Sequence, residues 1–504
     1  MNGTQLRIPN PEPRVGGAES RWVPLAALVS SLLVTAGCVV GPNYKRPGVT
    51  VPPAYKEGGS TATQASTQNL QEKWWEVFGD PQLNSLEDQI RISNQNLKAS
   101  EAQYRQARAL VRLYRAEYYP TATVTPSISR IRNSDNKPPR SALSGKSFND
   151  FVLVGDLSYE VDAWGRVRRT VEAARANVEA SAADLATVNL SVQSEVAFDY
   201  FELRSADAQK KLLDSTVGDF EKSLQLTENR HTGGLASDLD VQQARTQLET
   251  TRAEATDVGV ARAQFEHAIA VLIGKPPSSF SLAFSPVTGP APAVPLGLPS
   301  QLLERRPDVA ATERQMAAAN AQIGIAKAAY FPAITLGAAG GFESGTLGTL
   351  FQGPGLFYSL GAAAAQTVFD AGQRRANVEA QQAAYDQTVA NYRQTVLTAF
   401  QDVEDNLAAL RILEQEAKTQ DVAVEAARRS VVLSTNQYKG GVTSYLTVLT
   451  AQSAALADER SAVDILRRRM DASVLLMKAL GGGWDVTTNI PRADALAGAP
   501  SGGR

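Results

Sequence analysis

The chain is written twice, and this duplication constrains its fold more than any other feature. Arg115 to Pro120 (RAEYYP) matches Lys327 to Pro332 (KAAYFP), and Glu160 to Arg166 (EVDAWGR) matches Val368 to Gln373 (VFDAGQ). Thr232 to Ser237 (TGGLAS) matches Lys439 to Ser444 (KGGVTS), and Val271 to Gly274 (VLIG) matches Lys478 to Gly481 (KALG). The four offsets are 212, 208, 207 and 207, in the same order along both copies. Proline follows the same plan: none occurs from Arg140 to Lys275 or from Gly355 to Ile490, although the chain holds 25. Two long blocks without proline predict two sets of uninterrupted helices.

Helical periodicity fills those blocks. Val171, Ala174, Val178, Ser181, Leu185, Val188 and Val192 recur at 3–4 spacing, as do Tyr385, Val389, Tyr392, Val396, Ala399 and Val403, followed by Leu410 and Leu413. That is a narrow coiled-coil seam. Arg166 to His231 and Gly372 to Tyr438 would each extend about 100 Å as helix. Each ends in Gly-Gly, a helix-reversal signal, and a shorter return follows, Asp238 to Ile273 and Tyr445 to Leu480. Leu83 to Tyr119 and Leu302 to Tyr330 are the expected complements, stacked end to end with the returns.

Each copy also carries a strand signal. Thr121 to Thr125 reads as β after the Pro120 stop. Asp150 to Val161 alternates with Leu153, Gly155, Leu157, Tyr159 and Val161 on one face. Ile131 to Asn149 is a polar loop between them. The second copy runs Ala333 to Phe342, a Gly-rich loop, then Phe357 to Phe369. Strands of about 10 residues fit a tilted membrane-spanning strand, and two soluble hairpins on a small sheet are the alternative.

Composition excludes several classes of function. With 50 basic and 52 acidic residues, the net charge of −2 gives no electrostatic case for nucleic acid. Two His and one Cys argue against a disulfide framework or a His/Cys metal enzyme. His231 and His267 lie 36 residues apart with no third ligand spacing, and no Walker loop or nucleophile elbow occurs. The expectation is a non-enzyme with no metal and no cofactor. No apolar run after residue 40 reaches the roughly 20 residues of a membrane helix, but strands that alternate keep hydropathy low.

The N-terminus reads as an address. Arg7, Arg14 and Arg21 precede the apolar stretch Trp22 to Ala36, the layout of a secretory signal. Val34 to Cys38 (VTAGC) resembles the lipobox of bacterial lipoproteins, in which the Cys thiol receives a diacylglyceryl group. Thr35 stands where Leu is usual, and a buried hydrophobic Cys is the alternative reading. Val39, rather than Asp, follows Cys38, which favours the outer membrane. Four strands cannot close a barrel, and open edges are not tolerated in lipid. If these strands span a membrane, several chains must share one barrel, and three chains would supply twelve strands.

Five further stretches share a resemblance: Gly41 to Pro47 (GPNYKRP), Trp74 to Leu83 (WWEVFGDPQL), Leu302 to Val309 (LLERRPDV), Ala329 to Pro332 (AYFP) and Ala479 to Trp484 (ALGGGW). In this order the chain resembles the TolC-type outer-membrane efflux proteins, in the lipoprotein branch called NodT- or OprM-like. The resemblance implies a mainly α fold with long helical hairpins forming a periplasmic α-barrel, and a shared 12-stranded barrel in a homotrimer. It implies the exit duct of a tripartite (RND-type) pump, with a periplasmic adaptor (membrane fusion protein) and an inner-membrane transporter, seated in outer-membrane lipid. The duct of a type I protein secretion system and a structural envelope scaffold are the alternatives. Expected segments are a signal peptide (1–37), a lipidated linker and equatorial segment (38–82), the first copy (83–275, hairpin at about 121–162), a Pro-rich linker (276–299), the second copy (300–484, hairpin at about 333–369) and a disordered tail (485–504).

Site expectations follow by position. Cys38 carries the lipid. The tips Gly233, Gly234, Leu235, Ala236 and Ser237, with Gly440, Gly441, Val442, Thr443 and Ser444, match those by which the family meets its adaptors; the plain alternative is helix reversal, which needs φ > 0. An acidic ring after the second tip is common in the family, but Thr447 and Thr450 occupy the matching positions. Asp238 and Asp240 offer acidic groups from the first tip instead, or else simply cap their helix. Tyr445, Leu446 and Leu239 are the packing alternative for a gate. The charges at Glu304, Arg305, Arg306 and Asp308 read as a solvated face or local pairing. Trp74 and Trp75 read as packing in the equatorial belt, with ligand binding as the alternative.

Overall fold

The computed structural model describes residues 39–57, 73–136, 138, 144–287, 289–292, 294 and 303–485. Cys38, Leu302, the signal segment and the tail from 486 lie outside them. In chain order the elements are α1 (Pro81–Ser93), α2 (Gln95–Arg115), β1 (Thr121–Arg132), β2 (Ser147–Val161), α3 (Arg166–Thr232), α4 (Asp238–Leu272), α5 (Pro307–Ala328), β3 (Ala333–Ser344), β4 (Leu356–Ala365), α6 (Gln373–Lys439) and α7 (Tyr445–Ala479). They form two compact units. One holds Tyr118–Arg169 and Lys327–Ala371; the other holds Pro42–Glu117, Thr170–Ala326 and the chain from Gly372.

In the strand unit the two hairpins fuse into one antiparallel sheet, ordered β1-β2-β3-β4. The joint is β2 on β3, from Phe151 opposite Ser344 to Val161 opposite Ile334. The registers place Val124, Ile128, Leu157, Leu336, Tyr358 and Leu360 on one face, all of them exposed. Thr121, Thr123, Thr125, Asp156 and Ser158 share the other. One apolar and one polar face is the pattern of a strand with lipid on one side and water on the other. Among the described residues, β1 and β4 have no partner strand on their outer edges.

Three strand limits differ from the sequence reading. β1 runs on to Arg132 and β2 starts at Ser147, so the ladder consumes both ends of the expected polar loop. β4 stops at Ala365 rather than Phe369, because Pro332 cannot donate to a ladder and β3 therefore begins at Ala333, opposite Ala365. Beyond it the Gln366 amide donates to the Tyr330 carbonyl at 3.0 Å.

The helical unit carries the duplication into matched lengths. α3 and α6 have 67 residues each, and α4 and α7 have 35 each. On α6 the expected seam is observed, with Tyr392, Val396, Ala399, Val403 and Leu413 buried. On α3 the expectation of a narrow seam is wrong. Ala173, Ala176, Ala180 and Ala183 are buried alongside Val171 and Val178, because this helix is covered on two sides.

The complement Leu83 to Tyr119 consists of two helices, α1 and α2. It breaks at Asn94, whose side chain accepts from Leu97 N at 2.8 Å and donates to the Leu272 carbonyl at 2.6 Å. The break thus secures the last turn of α4, whose orphan carbonyls need partners. Gly274 and Gly481 explain their repeated motifs. Both have positive φ, 71° and 93°, and a Cβ would fall 2.3 Å from Ser93 O and 2.0 Å from Arg305 O. Each return helix therefore docks its end against backbone at the start of its own copy.

The core gathers Trp74, Trp75, Leu83, Ile90, Tyr200, Phe201 and Met477, which bears out the reading of the two tryptophans as packing. Two straps bind the copies to each other. The segment before the first copy holds on to the second: Lys56 N and Glu57 N donate to the Glu404 carboxylate at 2.7 and 2.9 Å, and Arg411 reaches Glu57 at 2.5 Å. The segment before the second copy holds on to the first: Arg204 donates to the Ala283 carbonyl at 2.7 Å, and Ser285 N to Asp207 at 2.9 Å. Arg204 and Arg411 are 207 residues apart, the repeat distance.

Candidate functional site

Both hairpin tips are built by one backbone device. Gly233 N, Gly234 N and Leu235 N donate to the carbonyls of Asn229, His231 and Arg230, while Gly440 N, Gly441 N and Val442 N donate to those of Asn436, Tyr438 and Gln437. These bonds satisfy the last carbonyls of α3 and α6. Only the second glycine of each pair needs to be glycine: φ is 71° at Gly234 and 70° at Gly441, whereas Gly440 is right-handed. The turns leave apolar side chains in solvent. Leu235 is 72% and Val442 78% exposed, with Leu239 at 66% and Leu446 at 56%. Ala236 and Thr443 are half-buried beside them.

The two tips differ after the turn. Ser237 and Asp240 form a reciprocal capping box, with Asp240 N donating to Ser237 Oγ at 3.2 Å and Ser237 N to Asp240 Oδ2 at 3.0 Å. Asp238 accepts from Gln242 at 3.3 Å. Both carboxylates stabilise the start of α4. Ser444 makes no side-chain cap; Thr443 donates to Thr447 at 2.8 Å and Thr450 to the Leu446 carbonyl at 2.8 Å. Tyr445, expected at an opening, is only 2% exposed. Its ring packs on Tyr438 with centroids 5.5 Å apart, and Ala244 and Val448 complete the cluster.

Arg230 ties one tip to the other, a role the sequence reading missed. Its Nη1 donates to the Lys439 carbonyl at 3.0 Å, and its guanidinium lies 4.7 Å from the Tyr438 ring centre. A cation in the last turn of a helix was the one available signal. The partner, at the end of a helix 209 residues away, was not visible.

The charges near the start of α5 pair over long range as well as locally. Arg306 reaches Asp308 at 2.7 Å, Asp402 of α6 at 3.0 Å and the Ala479 carbonyl at 3.3 Å. Farther along α7, Arg467 joins Glu202 of α3 (2.5 Å) to Asp471 and Asp464 of its own helix (3.1 and 2.8 Å). Burial, and then the neighbouring Glu202, push Asp471 up to about 8. The folded state therefore holds a proton there that the unfolded chain releases near 4, so stability falls as pH rises between about 4 and about 8. Asp471→Asn should flatten that slope, read as the pH dependence of the melting temperature in detergent. An unchanged slope would reject the raised carboxyl.

Among the described residues there is no group of three or more potential metal ligands, and no helix is long and apolar enough to cross a membrane. The sequence profile of outer membrane efflux proteins matches residues 86–275 and 298–482. The chain belongs to the outer membrane efflux protein family. The two matched stretches fall on the two copies of the duplication. This efflux protein is 32% identical to the pyoverdine export outer membrane protein OpmQ of Pseudomonas aeruginosa, across 91% of this chain and 96% of that one. It is 32% identical to the toluene efflux pump outer membrane protein TtgF of Pseudomonas putida, across 90% and 96%. Among solved structures it superposes on the outer-membrane channel OprN with a TM-score of 0.83 at 29% identity, covering 89% of this chain and all of that one. Long helices with four strands per chain are thus the family's fold.

Proposed function

We propose that this efflux protein is the outer-membrane exit duct of a tripartite pump for small molecules. Three copies close a barrel of twelve strands, and their long helices line the periplasmic path. The observation that carries this reading is the sheet, with one apolar face, one polar face and two open edges, which lipid does not tolerate unpaired. The duct has no energy source of its own, so an inner-membrane transporter supplies the work and a periplasmic adaptor joins the two. The exposed Leu235 and Val442 tips are the adaptor's landing surface. Cys38 carries the lipid anchor, after removal of a signal segment; Cys38→Ser should abolish palmitate labelling, and labelling that persists would refute it.

Purified protein in detergent should be trimeric by light scattering, and a stable monomer with full β content would refute the shared barrel. In planar bilayers, divalent cations should block the channel through the carboxylates of Asp238 and Asp240. Changing both to Asn should weaken the block, and Thr447→Asp should deepen it. A channel indifferent to such cations would leave the carboxylates as helix caps alone.

A further inference from the structure

The two return helices are duplicates of equal length. α4 and α7 have 35 residues each, so Asp238 corresponds to Tyr445, Leu272 to Ala479, and every position between them to one 207 residues along. One charge loses its partner across that offset. On α7 Asp464 is paired with Arg467, one turn on, at 2.8 Å. The duplicate of Asp464 on α4 is Asp257, and Val260 stands where the cation would be. Among the described residues Asp257 has no ion pair, and Val260 is 57% exposed. The first copy therefore carries the anion with an apolar side chain in place of its cation.

The same place is concave. Asp257 and Val260 line a cavity of about 710 Å³ between α3, α4 and α7, within the range of about 300–1,000 Å³ of small-molecule sites. Its apolar lining comes from Ala206 of α3 and from Val258, Ala261 and Phe265 of α4. The other charges around it are matched. Glu254 pairs with Arg460 at 2.7 Å and Glu202 with Arg467 at 2.5 Å. Three carboxylates thus face two guanidiniums, and Asp257 is the surplus.

Ser205 of α3 gives a second and independent sign. It borders the same cavity, it is 1% exposed, and its Oγ has no hydrogen-bond partner. A buried hydroxyl without a partner costs free energy that a ligand within reach recovers. The second copy lacks these features, since Ile412 and Ala472 hold the positions of Ser205 and Phe265.

We propose that the crevice between α3, α4 and α7 binds a lipophilic cation, a small molecule with one positive charge on an apolar body. The charge sits beside Asp257 as Arg467 sits beside Asp464, and the apolar body covers Val258, Val260 and Phe265. A neutral apolar molecule would leave Asp257 unmatched, and an anion would be repelled by it. The site is complete within one copy, so it stands or falls apart from the reading as an exit duct.

The test uses purified full-length protein in a nonionic detergent and two probes of nearly the same shape and opposite charge, tetraphenylphosphonium and tetraphenylborate. Equilibrium dialysis of each labelled probe, with the same detergent on both sides, should show one saturable phosphonium site per chain and none for the borate. Val260→Arg recreates on α4 the ion pair of α7 and should abolish the site. Asp257→Asn should weaken phosphonium binding about fivefold, the size of a partly exposed ion pair. Both replaced residues are exposed, and circular dichroism should show unchanged helix content. Should Val260→Arg lose helix, Asp257→Asn decides alone. Phosphonium held equally by the wild-type and variant proteins, or borate held as well as phosphonium, overturns the proposal. Conductance in planar bilayers, measured on the same preparations, separates the two readings. A conducting wild-type protein without the phosphonium site overturns the site and leaves the duct, whereas a saturable site in a protein that does not conduct supports the site and rejects the duct.

Discussion

Replacing Gly341 by valine is expected to remove assembled protein from the outer membrane. Gly341 lies in β3, and a Cβ there would sit 2.0 Å from the Leu153 carbonyl oxygen and 2.8 Å from Val154 Cα. Both obstacles are backbone of the neighbouring strand, so no rotamer change can relieve the clash. Forcing β3 away from β2 breaks the one seam that joins the two hairpins into a sheet. Overpacking typically costs about 1–3 kcal/mol, and the lost ladder hydrogen bonds add to it where no water can replace them. The amount of trimer in outer-membrane fractions should drop at least roughly tenfold, the change that about 1.4 kcal/mol produces. Gly337→Val is the control: nothing lies within 4 Å of its Cβ position on the same strand, and the protein should accumulate normally. Wild-type levels of the Gly341 variant would show that the sheet is looser than its register implies.

Tryptophan at Ala236 or Thr443 should leave the protein in the outer membrane and cut efflux by about tenfold, the size of a contact worth about 1.4 kcal/mol at an interface centre. Both residues flank the exposed Leu235 and Val442, neither side chain enters the backbone hydrogen bonds that close the turns, and Thr443→Trp gives up only the bond to Thr447. The backbone bonds of Gly234 and Gly441, the capping box at Ser237 and the Tyr438–Tyr445 cluster all remain. Folding is thereby separated from docking. If these variants instead lose the protein, the tips serve as turns only, and the adaptor binds elsewhere.

Much of the helical frame was legible because it depends on local rules. The absence of proline and the 3–4 spacing of apolar residues set the lengths of α3 and α6 to within a residue or two, and the Gly-Gly pairs set their ends. The fusion of both hairpins into one sheet was less accessible, since pairing of β2 with β3 joins strands almost two hundred residues apart. The break at Asn94 was not read, because its side chain is claimed by a tertiary carbonyl, Leu272 O, as well as by its own helix. The double cover on α3 could not be read from periodicity, which reports that a face is apolar and not what lies on it. At the tips the capping role of Asp240 was visible in the Ser237-Asp238-Leu239-Asp240 order. The Arg230 contact and the grip of Glu404 on two backbone amides were not, because each joins a side chain to backbone more than two hundred residues away.

A chain that conducts small molecules out of the cell as part of a pump leaves a direct trace in the living cell. Its most direct test is the intracellular accumulation of a panel of antibiotics, dyes and organic solvents in cells lacking the gene. Deletion should raise accumulation of at least one compound. The wild-type chain should restore its efflux, and the Ala236→Trp chain, present at equal level in the outer membrane, should not. Unchanged accumulation across the panel, with the protein trimeric in the outer membrane of the parent strain, would contradict the account.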